Sequence, residues 1–104
     1  MGGLVPKHAT FIALIVMIAA PASASKQRQE SCAITADIVS QAVEARLGGK
    51  SPDQTKTDLA SDGSGITGIY KATIPALVDM VFGFEESTLG QGVVQDYETQ
   101  CLNF

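Results

Sequence analysis

The stretch Ser31-Cys32-Ala33-Ile34-Thr35-Ala36-Asp37-Ile38-Val39-Ser40-Gln41-Ala42-Val43-Glu44-Ala45-Arg46-Leu47, followed by Gly48-Gly49, decides how this chain folds. At the ~100° per residue of an α-helix, Cys32, Ile34, Ala36, Ile38, Val39, Ala42, Val43, Ala45 and Leu47 fall on one broad arc, and Asp37, Ser40, Gln41 and Glu44 fall opposite. That is an amphipathic helix with a wide face to bury. Gly48-Gly49 stands where a helix end calls for a positive φ, so the helix is expected to stop there.

Outward to the C-terminal side, Ser51-Pro52-Asp53-Gln54 reads as the start of a second, short helix running to about Ala60. Ser51 suits the N-cap, Pro52 the first helical position and Asp53 the helix dipole, and Gln54 completes a capping box. Ser61-Asp62-Gly63-Ser64-Gly65 is a loop by composition, and Gly68 leaves its neighbours loosely committed. Ile74-Pro75-Ala76-Leu77-Val78-Asp79-Met80-Val81-Phe82 is apolar almost all round and too short to span a bilayer, so it is expected to be the central, most buried helix, closed by Gly83. Pro75 either sits in its first turn behind a Thr73 cap or kinks a longer helix begun near Ile66; the first arrangement is favoured. A last helix, from about Ser87 to Cys101, carries Leu89, Val93, Val94, Tyr97 and Cys101 on one side and Gln91, Gln95, Glu98 and Thr99 on the other. Gly90 and Gly92 weaken it. Helical segments, short connections and no strand-like alternation predict an all-α domain, a small three- to four-helix bundle.

Outward to the N-terminal side, the pattern is that of export. Lys7 and the α-amino group supply positive charge, and no acidic residue occurs before Glu30. The apolar run from Phe11 to Ala20 is about half of the ~20 residues a membrane-spanning helix needs. Pro21 stops it, and Ala22-Ser23-Ala24 places small residues where signal peptidase accepts them. Residues 1–24 are therefore expected to be a cleaved signal peptide, with the mature chain starting at Ser25 and residues 25–104 forming one domain. An uncleaved anchor is the weaker alternative. Gln29-Glu30-Ser31 before Cys32 does not resemble a lipid-acceptor context, and no paired arginines precede the apolar run, so the general secretory route is preferred.

Cleavage at Ser25 changes the composition that matters. It removes Lys7 and His8, leaving six Lys and Arg against eleven Asp and Glu, a formal charge of −5, with no histidine and no tryptophan. That balance argues against nucleic acid and anionic membrane surfaces as partners and favours a basic protein partner. A domain this small is marginal without a staple. Cys32 and Cys101 are the only cysteines, and in an oxidising compartment, the periplasm or outside the cell, one intramolecular disulfide between them is expected. Two buried thiols or an intermolecular pair are the alternatives. Their spacing rules out a CxxC redox site.

The cysteine that opens an amphipathic helix ending in Arg46-Leu47-Gly48-Gly49, the apolar Leu77-Val78-Asp79-Met80-Val81-Phe82 segment, and the closing Tyr97 and Cys101 resemble small exported proteobacterial proteins of unknown function. The resemblance implies a helical fold, a disulfide joining the first and last helices, and a periplasmic address. It implies no activity.

The mature chain lacks the usual catalytic kit. Without histidine, and with both cysteines paired, Ser-His-Asp and Cys-His nucleophilic machinery has no members, and neither do zinc sites built on His and free Cys; no metal site, catalytic residue or cofactor is expected. Glu85-Glu86 are neighbours whose side chains point apart and read as helix-start charge. Asp53, Asp58 and Asp62 lack calcium-loop spacing, and Asp62-Gly63-Ser64-Gly65 lacks the base and strand of a phosphate loop. The terminal Phe104 matches the closing residue of outer-membrane barrels, which means little in a helical chain.

The leading expectation is a non-enzymatic periplasmic interaction protein, an inhibitor, adaptor or accessory subunit, that presents a helix face or the Asp62 to Tyr70 loop to a protein partner; its basis is small size, the missing catalytic kit and surplus apolar surface on residues 74–84. An acid- or stress-responsive chaperone is the alternative, opened by protonation of its carboxylates and restrained by the disulfide. A carboxylate-dependent hydrolase is a distant third. Two charges break the pattern around them: Arg46 falls between Thr35 and Val39 inside the apolar arc, and Asp79 is the only charge from Ile74 to Phe84. Either Arg46, one turn from its helix end, snorkels to solvent near the C-terminal carbonyls while Asp79 marks the one wet stripe of its helix, or the two pair and set the crossing of their helices.

Overall fold

The computed structural model describes residues 22–104, with side-chain burial from Ser25 onward. The basic start and the apolar run Phe11 to Ala20 lie outside the described residues. Five α-helical segments and two short 3₁₀ turns make up the described chain: α1 (Ala22–Leu47), α2 (Pro52–Ala60), a turn at Asp62–Ser64, α3 (Gly68–Lys71), α4 (Ile74–Gly83), a turn at Glu86–Thr88 and α5 (Gln91–Leu102). The all-α bundle expected from periodicity is the fold observed.

α1 is longer than its apolar pattern predicts. Its first residues contain Ala, Lys, Gln, Arg and Glu with no Gly or Pro, so good helix formers carry the helix back to Ala22, and Ala22-Ser23-Ala24 lies at its start. Residues 25–30 are all exposed, and burial begins only at Cys32. From there Cys32, Thr35, Ala36, Val39, Ala42 and Val43 follow the three-and-four spacing of one face and are buried, with Ile38 beside them. The buried Thr35 hydroxyl donates to the carbonyls of Ser31 and Cys32, so burial leaves it satisfied. Gly49, at φ +90°, turns the chain, while Lys50 and Gly49 donate back to the carbonyls of Ala45 and Arg46. This is the Schellman closure that glycine permits.

α2 starts where its residues predict. The Ser51 hydroxyl accepts from the Gln54 backbone N–H at 3.1 Å, and Pro52 opens the helix. The Gln54 side chain turns forward to Asp58 instead of back to the cap, so only half of the expected capping box forms. Ser51→Ala is expected to lower stability by about 1 kcal/mol, read from the urea midpoint of a circular-dichroism titration. No change in midpoint would show that the cap carries nothing.

α1, not α4, is the central helix. It packs against α2, α4 and α5, and α2 also packs against α4. α4 sends a single stripe, Ile74, Val78 and Val81, fully into the core; Pro75, Ala76 and Asp79 on its other side are exposed. A ten-residue helix covered on one side keeps its remaining apolar side chains at the surface whatever its composition. Pro75 does lie in the first turn of α4. Thr73 is not a side-chain cap: its backbone is already helical, at φ −85° and ψ −13°, and its hydroxyl donates to the Tyr70 carbonyl. Leu59 of α2 and Ile66 complete the core cluster.

The last helix begins at Gln91, later than Ser87. Residues 86–88 form a 3₁₀ turn, and Gly90 runs extended into the first helical residue, without a side-chain cap. Val93, Val94 and Tyr97 pack against the core cluster, yet no residue of α5 is fully buried. A disulfide joins Cys32 to Cys101 across a sequence separation of 69, and pins the end of α5 to α1.

Candidate functional site

Arg46 and Asp79 do not meet. The Arg46 guanidinium leaves the last turn of α1 and donates to the carbonyls of Val81, at 2.8 Å, and Phe84, at the C-terminal end of α4. Its charge lies 5.7 Å from the centre of the Phe82 ring. The carbonyls it reaches are those of α4 and not of its own helix, so Arg46 caps a neighbour's negative dipole end. Asp79 sits on the exposed side of α4 and pairs with Lys56 of α2 at 2.8 Å. Of the two arrangements open in the sequence, pairing gives way to separate partners, because backbone carbonyls satisfy Arg46 and an α2 lysine is closer to Asp79.

The remaining acidic candidates are also separate. Asp58 binds Lys50 at 2.6 Å and Gln54 at 2.8 Å, Asp62 binds Lys71 at 3.3 Å, and Asp53 is exposed on the first turn of α2. Glu85 and Glu86 are both exposed at the start of their turn. Among the described residues no group of three or more His, Cys, Asp or Glu is placed to hold a metal ion. The Lys50 and Gln54 hydrogen bonds hold the Asp58 carboxyl below its usual 3.8, against a smaller opposing effect of desolvation. A depressed carboxylate adds stability above its unfolded pKa and loses it as pH falls through the folded one. The stability gap between the protein and Asp58→Asn is therefore expected to be full near neutrality and to close below pH 3.8, as urea midpoints across that range would show. A gap that stayed constant would mean the carboxylate is not the group involved.

Concavities open among the described residues of the bundle. One, about 420 Å³, lies between the end of α1, α2 and the Asp62–Ser64 turn, and its lining includes the Lys50–Asp58 pair. A second, about 270 Å³, lies between Ala33 and Ile34 of α1 and the Gly65–Thr67 segment. The third, about 280 Å³, is a groove between α4 and α5. Met80 and Phe84, four residues apart, form one wall. Val93, Asp96, Tyr97 and Gln100, at the three-and-four spacing of a single helix face, form the other, and Thr88 closes the end.

This third concavity joins several large apolar side chains at one opening. Phe84 is 41% exposed at its edge. Leu47, Ile69 on α3, Leu102 and the terminal Phe104 are also exposed, and exposed apolar side chains are ordinary for a surface. The sequence pointed to surplus apolar surface on residues 74–84 and placed Val93 and Tyr97 on one side of the last helix. The face is half covered, and periodicity cannot distinguish a covered stripe from an open one. No family model, curated protein or solved structure matches this chain. Among the described residues no helix is long and apolar enough to cross a membrane.

Proposed function

We propose that this chain is a non-enzymatic interaction protein of the periplasm or the secreted fraction, an inhibitor, adaptor or accessory subunit, exported through a signal peptide over residues 1–24 and docking a protein partner in the α4–α5 groove. The groove carries the reading: in a chain with few aromatic residues, Phe84 and Tyr97 face one opening together with Met80 and Val93, and aromatic and methionine side chains concentrate binding energy at interfaces. The Cys32–Cys101 disulfide fits an oxidising compartment, and the resemblance to small exported proteins supports the same address.

A photocrosslinking residue placed at Thr88 or Gln100, in the cell that makes the protein, is expected to give one discrete adduct, absent when the same residue is placed at Thr57 on α2. Equal labelling from all three positions, or none, overturns the docking reading. N-terminal sequencing of the exported form is expected to begin at Ser25. The acid-responsive chaperone reading is favoured by one observation, that α5 has no fully buried residue and is held at its end by the disulfide. Suppression of client aggregation at acidic but not neutral pH, with no groove adduct, would favour it over docking.

A further inference from the structure

Charge is sharply divided along this chain. From Ala72 to Phe104 it carries Asp79, Glu85, Glu86, Asp96 and Glu98 and no lysine or arginine. The basic residues of the bundle are already engaged: Arg46 with carbonyls, Lys50 with Asp58, Lys56 with Asp79 and Lys71 with Asp62. Lys26 and Arg28 stand apart on the exposed first turns of α1. Among the described residues Glu85, Glu86, Asp96 and Glu98 therefore have no ion-pair partner.

Three of these carboxylates, Asp96, Glu85 and Glu86, line or adjoin one apolar opening. Asp96 lines the α4–α5 groove itself, and Glu85 and Glu86 are exposed between Phe84 and Thr88, which also line it. At about 280 Å³ the groove has room for one or two side chains of a larger partner. Its apolar walls include Met80, whose flexible thioether adapts to differently shaped occupants.

We infer that the groove receives a cationic, apolar-anchored segment of a partner protein, with a large aliphatic or aromatic side chain seated between Met80 and Tyr97 and flanking lysines or arginines facing Asp96 and the Glu85–Glu86 pair. The inference rests on the docking reading and names the partner's chemistry. Apolar burial holds the anchor, and the acidic margin steers the approach and rejects acidic competitors, a second copy of this face among them. The segment docks in the manner of an amphipathic helix laid in a groove.

The test uses purified protein with its disulfide intact and three labelled synthetic peptides of equal length: an amphipathic Leu/Lys helix, the same peptide with Glu for Lys, and the same with Ser for Leu. Fluorescence anisotropy is expected to show saturable one-to-one binding of the Leu/Lys peptide that weakens as salt rises. The Ser-for-Leu peptide, and the Asp96→Lys variant with the Leu/Lys peptide, are each expected to bind at least ~10-fold more weakly, while Asp53→Lys on α2 leaves binding unchanged. Both substituted positions are exposed, and circular dichroism confirms that each variant folds. Equal binding of the Glu peptide overturns the cationic assignment, and equal binding of the Ser-for-Leu peptide overturns the anchor. Equal losses in Asp96→Lys and Asp53→Lys would mean diffuse attraction and overturn the site. A dimer whose dissociation alone frees the groove would make a second copy the occupant, and the proposal would fail. If no peptide binds, the partner class is wrong, and crosslinking at Thr88 still judges docking independently.

Discussion

Replacing Cys32 and Cys101 together by serine is expected to lower the stability of the protein by about 4 kcal/mol, the chain-entropy cost of freeing a loop of this length. Small domains have only about 5–15 kcal/mol in total, so the loss is a large share. The structure says where it falls first. α5 has twelve residues, a glycine near its start, no side-chain cap and no fully buried residue. A helix of that length is marginal by itself in water. Its partly buried Val93, Val94 and Tyr97 hold its middle, and the disulfide holds its end to α1. Both cysteines must be replaced, since a single substitution leaves a free thiol to pair between chains. Urea unfolding followed by circular dichroism checks the magnitude, and hydrogen exchange is expected to show α5 amides losing protection before those of α1. A midpoint shift worth less than ~1 kcal/mol would mean that packing alone holds α5 in place. The same variant is expected to lose peptide binding, because α5 supplies one wall of the groove.

What the sequence made legible is mostly local. Gly48-Gly49 and Ser51-Pro52 act within a few residues of themselves, and their closure and cap form as those residue types require. The disulfide was legible because only two cysteines were present to pair. Non-local features were harder to read. An apolar composition all round α4 suggested the centre of the bundle, but centrality depends on how many neighbours a helix reaches, and α1 has the length to reach three. Ser87 looked like a helix start because its neighbours favour one, yet the extended Gly90 moves the start to Gln91. The groove was invisible for a related reason: the Val93–Tyr97 stripe has the signature of a buried face, and only the placement of α4 shows that part of it stays open. One signal was there to be read, the absence of any base after Lys71.

Arg46→Ala is expected to cost about 2 kcal/mol, within the range for hydrogen bonds to a charged group and reduced for partial exposure. Arg46 stood out in the sequence, but its partners were hidden because they are backbone carbonyls 35 and 38 residues away, and carbonyls leave no side-chain signature. The residue closes the C-terminal end of α4, which has no basic residue in its own last turn and ends in the exposed Phe84. Without the guanidinium the Phe84 carbonyl must turn to water, the Val81 carbonyl keeps only the Phe84 backbone N–H at 3.3 Å, and the crossing of α1 and α4 loses its polar tie. Arg46→Met keeps the apolar stem and separates packing from hydrogen bonding: it is expected to recover only the stem's share. Arg46→Lys keeps the charge but replaces the Nη1 that donates to both carbonyls by an ammonium on a different stem, and is expected to fall between the two. Asp79→Ala, by contrast, removes only an exposed pair with Lys56 and is expected to cost less than ~1 kcal/mol. The double variant Arg46→Ala with Asp79→Ala is expected to lose the sum of the two within a few tenths of a kcal/mol, since the side chains share no partner. Urea midpoints for the four proteins decide it. A coupling above ~1 kcal/mol would mean that Arg46 and Asp79 act as a pair and that the carbonyls are not what holds the guanidinium.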